Sequence, residues 1–174
     1  RRTDGAPTYN FVVVVDDIAM KISLILRGDD HLNNSPKQVN LYEALDFEPP
    51  AFAHVPMILG DDGKRLSKRH GATAVGMYYD MGIIKEALFN YLTRLGWACG
   101  DMEIFTPQEV IDVFSLSQIN KAGAKWDMQK LLWVNQQWIM RLELDDLAER
   151  ARPFIKNKGI ELDESRYVYC VQTL

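Results

Sequence analysis

Cysteine is scarce in this sequence: Cys99 and Cys170 are the only two in 174 residues, and they form no Cys-x-x-Cys pair. That excludes a disulfide framework and a thiolate zinc site, and it predicts free buried thiols in a reducing compartment, with the cytoplasm as the expected location. Histidine is equally sparse, and His31, His54 and His70 stand too far apart in sequence to show metal-ligand spacing. Long apolar runs are missing. The longest, Phe11 to Val15, falls far short of the roughly 18 residues of a membrane span, and no signal-peptide pattern opens the chain, so no membrane partner is expected. Charge of one sign is also lacking. Twenty Lys+Arg stand against 24 Asp+Glu, a net charge of −4, so any nucleic-acid binding requires a local basic patch rather than a global field. No repeat or low-complexity stretch is present. What is present is a 47% hydrophobic fraction and four tryptophans, enough for a folded core of a little more than one average domain. The chain opens without Met at Arg1-Arg2-Thr3-Asp4-Gly5 and closes at Val171-Gln172-Thr173-Leu174 inside a helical pattern, which reads as a piece of a longer protein.

Two textures flank a basic loop. From Tyr9 to about Leu59, β-rich runs alternate with a helical pattern. Phe11-Val12-Val13-Val14-Val15 has strand composition, but Asp16-Asp17 and Ile18-Ala19-Met20 fit a helix as well, and the residues leave both open. Ser23 to Leu26 reads as a short buried strand ended by Arg27-Gly28-Asp29-Asp30. Ser35 and Pro36 form an N-cap and first-turn pair for a helix to about Leu45, and Phe52 to Leu59 forms the next extended run. Strand, helix and strand resemble half of an open α/β sheet, whose ligands bind beyond the carboxyl ends of the strands. From Thr73 onward the strand texture disappears. Ile84, Ala87, Leu88, Tyr91, Leu92 and Leu95 mark one amphipathic helix ending near Gly96. Thr106-Pro107-Gln108-Glu109 marks another with a capping box, Asp127 caps a third, and Leu144-Asp145-Asp146-Leu147 opens a fourth towards Pro153. The expected architecture is an α/β part followed by a mainly α-helical bundle, predominantly helical overall.

The chemistry is most concentrated between the two textures. In Asp61-Asp62-Gly63-Lys64-Arg65-Leu66-Ser67-Lys68-Arg69-His70-Gly71, Lys64, Arg65, Lys68 and Arg69 crowd beside a hydroxyl and flanking glycines. One reading is a solvated basic turn. The other is a phosphate-binding loop, in which flexible ammonium groups follow the charge that builds on a triphosphate. It is not a Walker motif.

Arg65-Leu66-Ser67-Lys68-Arg69-His70-Gly71 resembles the Lys-Met-Ser-Lys-Ser signature of class I aminoacyl-tRNA synthetases, in the form found in bacterial glutamate–tRNA ligases. Gly5-Ala6-Pro7-Thr8-Tyr9-Asn10-Phe11, Leu26-Arg27-Gly28-Asp29-Asp30-His31, Ser35-Pro36-Lys37-Gln38, Ala53-His54-Val55-Pro56-Met57, Glu86-Ala87-Leu88-Phe89-Asn90-Tyr91-Leu92 and Lys130-Leu131-Leu132-Trp133-Val134-Asn135 resemble the same family in its order. The resemblance covers essentially the whole chain but not a whole enzyme. The first signature lysine is Arg65, with Lys64 before it as a substitute, and the family's His-Ile-Gly-His-like motif is absent from these residues.

The resemblance implies that residues 1–59 form the second half of a class I Rossmann-like catalytic domain. It assigns the signature loop and helical stem-contact domain to residues 60–143, and the start of a helical anticodon-binding region to 144–174. The activity it implies is the joining of glutamate to the 3′ end of tRNA at the expense of ATP, through glutamyl-adenylate and with release of pyrophosphate. Mg2+ arrives with ATP, the partners are tRNA, glutamate and ATP, and the parent is a monomer. Lys68 is the expected catalytic cation. Asp30, His31, Met57, Ile58, Arg65, Leu66, Ser67 and Lys68 are expected at ATP, and Tyr9 and Arg27 at glutamate, where an arginine fork grips a carboxylate. Val13 stands where some family members carry a pocket asparagine.

Plainer readings accompany each assignment. Arg27 could form only a sheet-edge salt bridge to Asp29 or Asp30, Met57 and Ile58 could be strand-end core, and Asp16 and Asp17 could be solvated carboxylates at a helix end. Trp97, Trp126, Trp133 and Trp138 fit a core better than a base-stacking platform. Lys121, Lys125 and Lys130 either touch phosphates or solvate a helix face. The alternatives for function are a shortened paralogue that glutamylates a modified base of tRNA, and a non-catalytic helical module that binds RNA or protein. The 174 residues alone are expected to be inactive.

Overall fold

The protein is described here by a computed structural model over residues 3–67, 74–160, 163 and 167. The valine run resolves as helix. Helix α1 spans Tyr9–Ala19 and buries Val14, leaving Phe11, Val12 and Val15 exposed. Strand propensity is overridden because Asn10 and Asp17, one on each half of the helix, both find partners on the neighbouring helix α2, Ser35–Ala44. Gln38 Nε2 donates to Asn10 Oδ1 at 3.1 Å, and the Tyr42 hydroxyl donates to Asp17 at 3.2 Å. Burial and the neighbouring Asp17 push the Tyr42 phenol up to about 12.

Strand β1, Leu24–Gly28, and strand β2, Ala51–Val55, pair in parallel, with Arg27 opposite His54 and Gly28 opposite Val55. Between them a 3-10 turn, Asp29–Asn34, runs straight into α2. Ser35 is therefore not the N-cap that the sequence suggested. Asn34 before it already has helical backbone angles, so no extended residue remains to cap from, and the Ser35 hydroxyl is left for other partners. The extended run from Phe52 to Leu59 is also not one strand. It breaks at Pro56-Met57, and Ile58–Leu59 forms a separate short strand, β3, that pairs in parallel with β4, Ala124–Lys125. The expectation of no strand after Thr73 is corrected by β4.

The helices follow the sequence reading more closely. α3 is Val75–Asp80, α4 is Lys85–Gly96, α5 is Pro107–Val113, α6 is Met128–Ile139 and α7 is Leu144–Asn157. Thr106 and Glu109 form the expected capping box, and the Asp127 carboxylate accepts from the Gln129 and Lys130 amides. α7 does not stop at Pro153 but continues a turn beyond it. Pro153 removes one helix hydrogen bond, and the helix survives it with its Leu147–Ile155 side packed on Tyr167 and its Arg150 paired.

α4 and α6 enclose the main core: Tyr78, Ile83, Ala87, Leu88, Tyr91, Leu95, Leu131 and Val134 are buried together. The Asn135 side chain stitches α6 to the turn before α4, accepting from the Ile84 amide at 2.9 Å and donating to the Gly82 carbonyl at 3.1 Å. Gly82 turns the chain there at φ +81°, a conformation that a side chain would strain. Asn90, fully buried, donates to the Glu103 carbonyl and accepts from the Phe105 amide and the Trp138 indole. Trp97 is buried, and Trp126 and Trp138 pack on the core, as expected, whereas Trp133 is partly exposed beneath the Lys130 ammonium. Among the described residues, no helix is long and apolar enough to cross a membrane.

Candidate active site

The carboxyl ends of β1 and β2 carry the polar cluster. Arg27 leaves the sheet at the last turn of β1, and its guanidinium lies 5.5 Å from the centre of the Phe52 ring on the neighbouring strand. Its Nη2 donates to Ser35 Oγ at 2.9 Å and reaches the His31 carbonyl at 3.5 Å. The same Ser35 Oγ lies 3.3 Å from His54 Nε2. Arg27 Nε is buried and has no partner. Burial and the adjacent Arg27 charge hold the His54 imidazole below its usual range, so the ring is neutral at pH 7.

His31 gives its carbonyl to this arginine and stands near the ring of Tyr9. Tyr9, the first residue of α1, is exposed, and its ring centre stands 6.0 Å from that of His31. His31 sits in the 3-10 turn with its Nδ1 held 3.3 Å from Asn34 Nδ2. Asp30, one residue earlier, does not pair with Arg27. It receives Arg65 Nη1 at 3.0 Å, and among the described residues no ion pair joins Arg27 to Asp29 or Asp30, so the sheet-edge salt bridge that was the plain reading of Arg27 does not form. Gly28 makes room for this carboxylate, since a β-carbon there would stand 2.6 Å from Asp30 Oδ1.

The basic loop grows from β3 as a tight hairpin. Gly63 turns at φ +71°, the Gly60 amide donates to the Lys64 carbonyl, and the Leu66 amide donates to the Ile58 carbonyl at 2.8 Å. Arg65 is exposed and Leu66 and Ser67 are half-buried. The structure thus joins Arg65 to Asp30, while Ile58 turns its side chain to the helical core and the Met57 carbonyl oxygen lies where a β-carbon on Gly123 would stand 3.0 Å away. Lys68, with Arg69, His70 and Gly71, lies outside the described residues.

Of Lys121, Lys125 and Lys130, the last two have internal partners. Lys130 pairs with Glu103 and lies 3.9 Å above Trp133, and Lys125 stands 3.5 Å from Asp61. The Lys130–Asn135 stretch is therefore explained by packing: its lysine, tryptophan and asparagine are each engaged within the helices, and Leu131 and Val134 are core. Sequence reasoning missed Ser35, Phe52 and His54 as neighbours of Arg27. Ser35 and His54 stand in segments that resemble the family, but nothing in those segments points to Arg27, and parallel register is what brings His54 opposite it.

A basic hairpin tied through Arg65 and Asp30 to the turn at the carboxyl end of a parallel strand defines an α/β segment with a polar strand-end cluster, and comparison with known proteins gives it a family. Residues 1–133 match the model of the class I tRNA synthetases (E and Q), catalytic domain, and the chain belongs to that family. Glutamate–tRNA ligase 1 of Alkalilimnicola ehrlichii is 63% identical over 160 residues, which is 92% of this chain and 34% of that protein. Glutamate–tRNA ligase 2 of Halorhodospira halophila is 54% identical over 160 residues, with the same shares. A crystal structure of a glutamate tRNA ligase from Elizabethkingia meningosepticum, in complex with its amino acid, superposes with a TM-score of 0.86 at 30% identity, covering 98% of this chain and 38% of that one. The chain spans about a third of the length of the curated relatives it matches.

Proposed function

We propose that these residues form part of an ATP-dependent glutamate–tRNA ligase. The observation that carries the reading is that a chain of this family gathers Tyr9, Arg27 and His31 at the strand ends and ties its signature loop to the same turn through Arg65 and Asp30. In the proposed reaction a glutamate carboxylate oxygen attacks the α-phosphorus of ATP. Pyrophosphate leaves, and the resulting glutamyl-adenylate passes its acyl group to a hydroxyl at the 3′ end of tRNA. Tyr9 and Arg27 hold glutamate, with the unpartnered Arg27 Nε as a donor to its carboxylate. Asp30, His31, Met57, Arg65, Leu66 and Ser67 face ATP, which brings its Mg2+ as part of the substrate complex, Ile58 lies behind them with its side chain on the helical core, and Lys68 stabilises the departing phosphates.

Residues 1–59 serve as the second half of a Rossmann-like catalytic domain, 60–143 as signature loop and stem-contact domain, and 144–174 as the start of the anticodon-binding region. The parent works as a monomer in the cytoplasm, and the 174 residues alone transfer no glutamate. The test uses a full-length ligase carrying this sequence. Lys68→Ala should lower the rate of tRNA glutamylation by on the order of 10²–10³ without changing the circular dichroism spectrum. An unchanged rate overturns the role of the loop.

A further inference from the structure

We propose that Ser35 and His54 are positioning residues that hold the Arg27 guanidinium for the amino-acid carboxylate, through a relay from Arg27 Nη2 to Ser35 Oγ and from the Ser35 hydroxyl to His54 Nε2. The inference rests on Arg27 lying in the glutamate pocket and adds to it the device that aims the arginine.

Three observations carry it. First, the distances, 2.9 Å from Arg27 Nη2 to Ser35 Oγ and 3.3 Å from Ser35 Oγ to His54 Nε2, form a continuous chain across three elements: β1, α2 and β2. Second, the donor order is fixed by chemistry. Arg27 has only hydrogens to give, so Ser35 Oγ accepts from it, and the one hydroxyl hydrogen of Ser35 is then free to go to the imidazole. A neutral His54, protonated on Nδ1, accepts it on Nε2, and the depressed basicity of this ring keeps it in that form. Third, the hold is one-sided. Phe52 supports the guanidinium from the neighbouring strand, Ser35 and the His31 carbonyl engage Nη2, and Nε stays buried without a partner. A guanidinium fixed at one nitrogen with a buried donor to spare is preorganised for an acceptor that arrives later. The 3-10 turn that abolishes capping at Ser35 is what frees its hydroxyl for this use.

The experiment measures Michaelis constants for glutamate and for ATP, each with the other substrates saturating, in a full-length ligase carrying this sequence. Ser35→Val and His54→Phe remove the relay atoms and fill their space with carbon, Ser35→Thr keeps the hydroxyl, and Arg27→Ala removes the group that is aimed. Ser35→Val and His54→Phe should each raise the constant for glutamate roughly fivefold to tenfold, the loss of one hydrogen bond that organises a charged group, with ATP unchanged. Ser35→Thr should stay within twofold of the parent. In the Arg27→Ala background Ser35→Val should add nothing, because the relay then has nothing to aim. If Arg27→Ala raises the glutamate constant and Ser35→Val and His54→Phe do not, the relay is overturned and the pocket stands. If Arg27→Ala leaves the glutamate constant unchanged, the pocket reading falls and takes the relay with it. Equal rises for glutamate and ATP with a lowered melting temperature would show that Ser35 and His54 only support the fold, which also overturns the relay. Should Ser35→Val fail to fold, Ser35→Ala removes the same hydroxyl without added bulk and decides the matter by the same readout.

Discussion

The α/β segment and the helical segment bury their side chains to different ends. α1 and α2 together bury Val14, Gln38 and Tyr42, and two of these three each donate a hydrogen bond to the neighbouring helix. On β1, Leu24 and Leu26 are still exposed, although parallel strands are normally covered on both faces. α4 and α6 enclose a continuous apolar set closed by Asn90 and Asn135. The difference teaches a division of labour. The helices supply cohesion within these residues, while the α/β segment supplies polar groups at strand ends and leaves apolar surface uncovered.

The largest expected effect strikes that division at its strong side. Leu131 is 0% exposed and Leu26 46% exposed. Leu131→Ala should cost about 2–5 kcal/mol of folding stability in urea unfolding, and Leu26→Ala less than about 1 kcal/mol. Equal costs would break the comparison. Next comes the weak side, where chemistry rather than stability should respond. Arg27→Ala in a full-length ligase should weaken glutamate binding by roughly 1.5–3 kcal/mol, read as a risen Michaelis constant for glutamate, with little change in melting temperature.

A smaller effect concerns Arg150, whose ion pair with Glu86 attaches α7 to α4 and whose pair with Asp146 lies within α7. Arg150 donates to Glu86 at 2.9 Å and to Asp146 at 2.8 Å. Burial alone would raise the Glu86 carboxyl, but the hydrogen bond and charge of Arg150 prevail and hold it below its ordinary value of 4.5. A carboxyl lowered by folding stabilises the fold above its unfolded value and loses that contribution as pH falls through the folded one. Stability should therefore drop below about pH 4.5, and Glu86→Gln should flatten that part of the acid titration by about 1 kcal/mol. A slope that survives the substitution would assign it to other carboxylates. The smallest effect is at the loop. The exposed Arg65–Asp30 pair should contribute at most about 1 kcal/mol, so Arg65→Ala should scarcely move the melting temperature. A drop of several degrees would make the hairpin a structural brace rather than a ligand-facing loop.

The helices were legible because their signals are local: the Thr106–Glu109 box, the Asp127 cap and the spacing from Ile84 to Leu95 each lie within a few residues. The α1 valines were not, because strand propensity and helix periodicity compete over so short a run and the partner that decides between them, α2, lies more than a dozen residues on. β3 and β4 are two residues each, too short for any periodicity to show, and their pairing spans the basic hairpin and helices α3, α4 and α5. At the site, Tyr9, Arg27, Asp30, His31 and Arg65 were recognisable as motif residues, and the structure brings them around one turn. Ser35 and His54 were hidden because the relay depends on parallel register and on where a 3-10 turn ends, neither of which leaves a local mark.

β3 has no free edge. One side faces β4, whose following residue Trp126 gives its amide to the Leu59 carbonyl, and the other faces the returning arm of the hairpin, where Leu66 gives its amide to the Ile58 carbonyl. Two residues thus shield amide protons that lie far apart in the chain. In deuterated solvent the Leu66 and Trp126 amides should exchange at a common rate, as one cooperative opening that reports on the root of the basic hairpin and the approach to α6 together.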